Sequence, residues 1–141
     1  MIKIEVNRVD NAYAFEGIDI NGHTARMDGA VEIGGNNSGV RPMQLLLMSL
    51  GGCSGIDIVS ILKKQRQEVK DFKMILEGER EHGKEPSLWK YVHVTFRFTG
   101  SVDIEKAQKA CALSIDKYCS VAATLRAAGC TVEWKAEVVE G

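Results

Sequence analysis

Apolar positions recur along this chain with two different periods, and the switches between them mark its elements. Over "IKIEVNRV", Ile2, Ile4 and Val6 fall on one face at period two, which predicts a strand. "AYAFEGIDI" and "HTARMDGA" repeat that alternation on either side of Asn21-Gly22. That pair predicts a type I′ hairpin, in which both turn positions require positive φ. Periodicity is then lost in "EIGGNNSGVRP", which reads as loop, and Pro42 is placed to open a helix, where its missing N–H costs nothing. From Pro42 to about Lys70 the spacing is helical, in one long piece or in two joined at Gly51-Gly52. Ile58, Ile61, Leu62, Gln65 and Val69 make its inner stripe, and Lys63, Lys64, Arg66, Gln67 and Glu68 its wet side. The first half, "MQLLLMSL", is apolar nearly all round, so burial on most sides is expected, with a second subunit supplying part of the cover.

Period two returns in "DFKMILEGERE", with Phe72, Met74 and Leu76 inward, and runs longest in "LWKYVHVTFRFTG". Asp103 is placed as the N-cap of a helix over "IEKAQKACALSIDKY". "CSVAATLRAAG" predicts another helix, ended by Gly129, and "CTVEWKAEVVE" a last strand. The order is β-β-β, a long helix, β-β, helices, β. Strands and helices are segregated, which predicts an α+β fold and not a doubly wound sheet.

Bulk properties narrow the setting. A length of 141 residues predicts one domain spanning 1–141. A net charge of -1 with both signs interspersed offers no footprint for nucleic acid or an anionic membrane. No run approaches the roughly 18 consecutive apolar residues of a spanning helix, and "MIKIEVNRVD" lacks the apolar core of a signal peptide. A cytoplasmic location is therefore expected, with the four cysteines reduced.

Phosphate-binding glycine loops are absent from the sequence. His23, His82 and His93 stand apart from any cysteine or carboxylate at metal-ligand spacing, so neither a metal nor a cofactor is expected. Ser114 and Lys117 form an S-x-x-K pattern without its companion motifs, which reads as chance. Thiols remain. Cys53, in "GGCSGID", has a plain reading as a small buried hydrophobe. If Gly51-Gly52 interrupts the helix, Cys53 instead lies in the first turn of a new one, where the macrodipole favours thiolate. If the helix runs through, the paired glycines open a groove for close approach. Asp57, one turn on, opposes a thiolate if it faces the same pocket. Cys119 sits at a junction between helices, with Lys117 two residues before it; a helix N-terminus or an ammonium lowers a thiol pKa. Cys111 and Cys130 read as core. Two thiols can bond only if their α-carbons come within about 7 Å, which sequence leaves open.

Two stretches, "RPMQLLLMSLGGCSGIDIVSILKKQRQEV" and, further along, "LSIDKYCSVAATL", resemble the OsmC/Ohr family of osmotically inducible and organic hydroperoxide resistance proteins. Within it the chain looks most like the YhfA-type branch, and the resemblance covers essentially the whole sequence. It implies antiparallel sheets wrapped around long central helices in an intertwined homodimer, with active sites at the subunit interface. It also implies thiol peroxidase chemistry on organic hydroperoxides, in which a cysteine sulfenic acid is resolved to a disulfide by a second thiol. By motif, Cys53 is the peroxidatic residue and Cys119 the resolving one. An external dithiol, such as the lipoyl group of a lipoylated protein, then reduces the disulfide. One departure stands out. The family's glutamate ten residues before the first cysteine, which orients an arginine over the thiolate, is Met43 here. Arg26 and Arg41 remain as arginine candidates, and activation otherwise falls to the helix terminus or Lys117. Weaker or altered peroxidase activity is the resulting expectation. A lining of Leu45, Leu46, Leu47, Met48 and Leu50 suits apolar substrates, though a dimer core explains it equally. Two other readings stay open: a non-enzymatic dimer that binds a small apolar ligand or responds to redox state, and a hydrolase or acyl transferase working through Cys53.

Overall fold

The computed structural model describes residues 1–140, in two compact units: Met1–Leu46, and Leu47 onward. In the first unit, β1 (Glu5–Arg8), β2 (Phe15–Ile18) and β3 (Thr24–Met27) form an antiparallel sheet in that order. β1 is shorter than its alternation implied: Ile2 and Ile4 precede it and, with Val6, are exposed. The β2–β3 connection falls at Asn21-Gly22, but it is not a type I′ turn, because Gly22 takes positive φ (85°) and Asn21 does not. Asp19 accounts for the difference. Its carbonyl accepts the Gly22 N–H (3.1 Å), and its Oδ1 accepts the N–H groups of Asn21 and His23 (both 2.9 Å). A carboxylate that satisfies two amides at once fixes a three-residue loop with left-handed glycine in its last place.

Asp28 organises the loop that follows a short 3₁₀ turn (Val31–Ile33). It is buried, and its carboxylate accepts the N–H groups of Gly29 (2.7 Å), Asn36 (3.2 Å) and Ser38 (3.0 Å) and the Ser38 hydroxyl (2.7 Å). Those bonds, the Ser38 amide first, hold its pKa down at about 2. A depressed carboxylate stabilises the fold above its unfolded value of 3.8, and that contribution is lost as pH falls through the folded value. The Ser38 amide proton shift, followed by NMR, is expected to titrate with a midpoint near 2; a midpoint near 3.8 would dissolve this account.

Helix α1 (Pro42–Lys64) runs unbroken through Gly51-Gly52, so the two-helix alternative does not hold. Its glycines serve packing. A Cβ at Gly51 would stand 3.2 Å from Leu76 Cδ1, and one at Gly55 2.9 Å from Met74 Cε. Four residues apart, these two glycines share a face and let the helix settle close onto the strand carrying Leu76 and Met74. Gly52 is different: it is exposed, with nothing within 4 Å of its would-be Cβ. Its roughly 1 kcal/mol helix penalty relative to alanine is not offset by packing in this chain.

α1 stops at Lys64, short of Lys70, because Arg66 turns left-handed (φ 58°). The Arg66 N–H then reaches the Lys63 carbonyl (3.1 Å) and the Gln67 N–H the Leu62 carbonyl (3.0 Å), which is the Schellman pattern. Leu50, Ile58 and Leu62 are buried, whereas Leu46 and Met48 are 42% and 52% exposed. The expected burial on most sides is therefore not achieved within one chain. By length and composition α1 is apolar enough to cross a membrane, yet here it supplies part of a core.

The second sheet has the order β4 (Asp71–Arg80), β5 (Trp89–Thr99), β6 (Thr131–Val139). β4 and β5 are antiparallel, in a register that opposes Phe72 to Phe98, Met74 to Phe96 and Leu76 to Val94. β5 and β6 are parallel, which corrects the expectation of antiparallel pairing throughout. Parallel neighbours need a crossover, and the chain provides one: α2 (Ile104–Leu113), a π-helical turn (Ser114–Tyr118) and α3 (Ser120–Ala127). Asp103 caps α2 as predicted, its Oδ1 accepting the Glu105 N–H at 2.8 Å. Gly129 (φ 98°) closes α3, and the Cys130 N–H returns to the Leu125 carbonyl (3.0 Å). Val92, Val94, Phe96 and Phe98 of β5 are buried at the centre of this core.

Candidate active site

Cys53 and Asp57 are four residues apart on α1, so their side chains project side by side. The α2–α3 junction approaches them from the other side. Ser114, the buried C-cap of α2, donates its hydroxyl to Asp57 Oδ2 at 3.0 Å, with the Ser54 carbonyl 3.4 Å away. Its own carbonyl accepts the Cys119 N–H at 2.7 Å, which closes the π-helical turn. Single π turns of this kind are rare and recur at functional sites. Here the turn ends on Cys119, the N-cap of α3, whose Sγ accepts the Ala122 N–H at 3.4 Å. The two Sγ atoms and a carboxylate oxygen of Asp57 consequently lie within 4.8 Å of one another.

The two thiols are not equivalent. Cys53 is half-buried, whereas Cys119 is 2% exposed. Burial pushes the Cys119 thiol up to about 11; the Ala122 N–H pulls the other way, and neighbouring Cys53 adds to the rise. The helix N-terminus expected to favour a Cys119 thiolate is thus present but outweighed by desolvation. For Cys53 the corresponding argument lapses altogether, since an unbroken α1 places it mid-helix. Lys117 is exposed, its ammonium 5.3 Å from the centre of the Tyr118 ring. Arg26 and Arg41 belong to the N-terminal unit. There Arg26 Nε donates to Ser38 Oγ (3.3 Å), and Arg41 to Asn37 Oδ1 (3.0 Å) and the Gly39 carbonyl (3.2 Å). Met43 is half-buried in the first turn of α1. Cys111 and Cys130 are buried in the core, and burial lifts the Cys111 thiol to about 12 and raises that of Cys130.

Sequence reading singled out both thiols but passed over Ser114, whose S-x-x-K match was set aside as chance. Asp57 was placed one turn from Cys53; the spacing C-x-x-x-D was the available signal that the two share a helix face.

An α+β fold of this order, with one thiol on a long helix and a second brought to it by a helix junction, defines a class of paired-thiol proteins. Residues 35–135 match the OsmC-like protein family, and the chain belongs to that family. It is 43% identical over 119 residues to Protein YhfA of Escherichia coli K12, covering 81% of this chain and 82% of that protein. A hypothetical protein from Aquifex aeolicus VF5, solved by crystallography, shares 32% identity at a TM-score of 0.81, over 99% of this chain and 98% of that one. An organic hydroperoxide resistance protein OsmC from Legionella pneumophila shares the fold at 18% identity, with a TM-score of 0.68 over 98% and 96% of the two chains.

Proposed function

We propose that the protein is a thiol peroxidase for organic hydroperoxides, with Cys53 as the attacking thiol and Cys119 as the resolving one. The observation that carries this reading is the approach of the two sulfurs to within 4.8 Å at a site that also differs in access. The Cys53 thiolate attacks one peroxide oxygen; the S–O bond forms, the O–O bond breaks, and the alkoxide takes a proton to leave as an alcohol. The resulting sulfenic acid condenses with the Cys119 thiol, forming the S–S bond and releasing water. An external dithiol, of the lipoyl type, restores both thiols by two exchange steps. The half-buried sulfur suits attack on an arriving substrate. The buried sulfur, held protonated by desolvation, suits the second step, since it stays unreactive until a sulfenic acid forms beside it. The proposal includes a homodimer: Met48, Ile56 and Val59 of α1 expose 52%, 76% and 50% of their surfaces, a face that a second copy would cover.

The test treats reduced protein with cumene hydroperoxide and maps its thiols by mass spectrometry. A Cys53–Cys119 disulfide is expected, with Cys111 and Cys130 still reduced. Persistence of the peroxide with both site thiols reduced would sink the peroxidase reading.

A further inference from the structure

The reduced site has a second chemical character that peroxide chemistry does not require. We propose that Cys53, Asp57 and Cys119 together bind a thiophilic divalent cation, Zn²⁺ above all, in the reduced protein. Around tetrahedral zinc, thiolate sulfurs stand at about 2.3 Å and carboxylate oxygens at about 2.0–2.2 Å, which spaces the ligand atoms roughly 3.5–3.8 Å apart. The three donor atoms here already lie within 4.8 Å of one another, so closing on an ion asks for side-chain adjustments of about 1 Å.

Electrostatics favours the same conclusion. A carboxylate and two thiols meet where one thiol is 2% exposed, so ionising either sulfur sets like charges together in a poorly solvated place. A dication removes that conflict. Both thiols release their protons to solvent on binding, and two thiolates, one carboxylate and Zn²⁺ leave a net charge of -1.

The surroundings are organised as ligand supports. Ser114 donates to Asp57 Oδ2 and the Ala122 N–H to Cys119 Sγ, and such outer hydrogen bonds fix ligand orientation. Two of the donors ride on one face of α1 and the third on a helix N-cap, so the positions do not depend on a long loop. Three protein ligands leave a fourth tetrahedral place for water or an external thiol. The sequence concealed this site because its ligands follow no histidine or C-x-x-C spacing. Disulfide formation consumes both sulfur ligands, so metal-bound and disulfide forms exclude one another.

The test titrates reduced, metal-free protein anaerobically with Co²⁺ and then Zn²⁺. Sulfur-to-cobalt charge-transfer bands and tetrahedral d–d bands are expected, saturating at one ion per chain and bleached by Zn²⁺, which binds more tightly. Cys53→Ser and Cys119→Ser should each remove most of the charge-transfer intensity. The near-isosteric Asp57→Asn should keep the sulfur bands while weakening Zn²⁺ binding at least about tenfold, and Ser114→Ala should weaken it about 10–100-fold. Cys130→Ser, a thiol elsewhere in the core, should change nothing. Absence of sulfur bands in the wild type, or their survival in the Cys53→Ser, Cys119→Ser double variant, overturns the proposal. No peroxide enters the titration, so this result stands or falls apart from the peroxidase reading.

Discussion

Cys53→Ser is expected to lower steady-state hydroperoxide consumption by roughly a thousandfold or more, whereas Cys119→Ser should still consume one equivalent of peroxide per chain and then stop. The difference follows from the positions of the two sulfurs. Serine at position 53 removes the only half-buried thiol; the other three are buried, and desolvation holds Cys119 up at about 11 and Cys111 at about 12. A thiol held that high supplies almost no thiolate at neutral pH. Serine at position 119 leaves the first step intact and removes the partner that would condense with the sulfenic acid. The sulfenic acid should then accumulate and be trapped by dimedone at Cys53. Stopped-flow consumption and mass spectrometry of the adduct read both outcomes. Equal losses in the two variants, or an adduct on Cys119, would reverse the assigned roles.

Much of this arrangement was legible from sequence because local rules governed it. β5 was read from its alternation, α2 from Asp103 and the end of α3 from Gly129, and each follows from interactions within a few residues. Errors fell where a distant or competing partner decides. Asn21-Gly22 signalled a I′ turn, but the Asp19 carboxylate captured the loop amides first. Gly51-Gly52 read as a break or an open groove, whereas Gly51 and Gly55 face Leu76 and Met74 on a strand that no helical periodicity could reveal. Parallel pairing of β5 with β6 depends on the crossover, not on either strand's own pattern. At the site, both cysteines were visible as residues with a resemblance behind them. Their proximity was not, and neither was the hydrogen bond from Ser114 to Asp57, which joins positions 57 apart in sequence. The departure at Met43 was legible too; Lys117, another activating candidate, is exposed, with its ammonium 5.3 Å from the centre of the Tyr118 ring.

Phe96→Ala should cost about 3–5 kcal/mol of unfolding stability, which against a usual total of about 5–15 kcal/mol is enough to leave the fold marginal. Phe96 is fully buried at the middle of β5, opposite Met74 on one side and Ala136 on the other. Its ring meets Trp134 edge-on at 6.3 Å and Phe72 at 6.2 Å, so truncation opens a cavity ringed by aromatic groups that cannot readily collapse into it. Phe72 provides the control. It stacks on Phe98 at 4.5 Å but is only half-buried, so part of its surface never left water, and Phe72→Ala should cost roughly half as much. Urea unfolding followed by tryptophan fluorescence ranks the pair, and a loss in Phe72→Ala equal to that of Phe96→Ala would contradict the placement of the core.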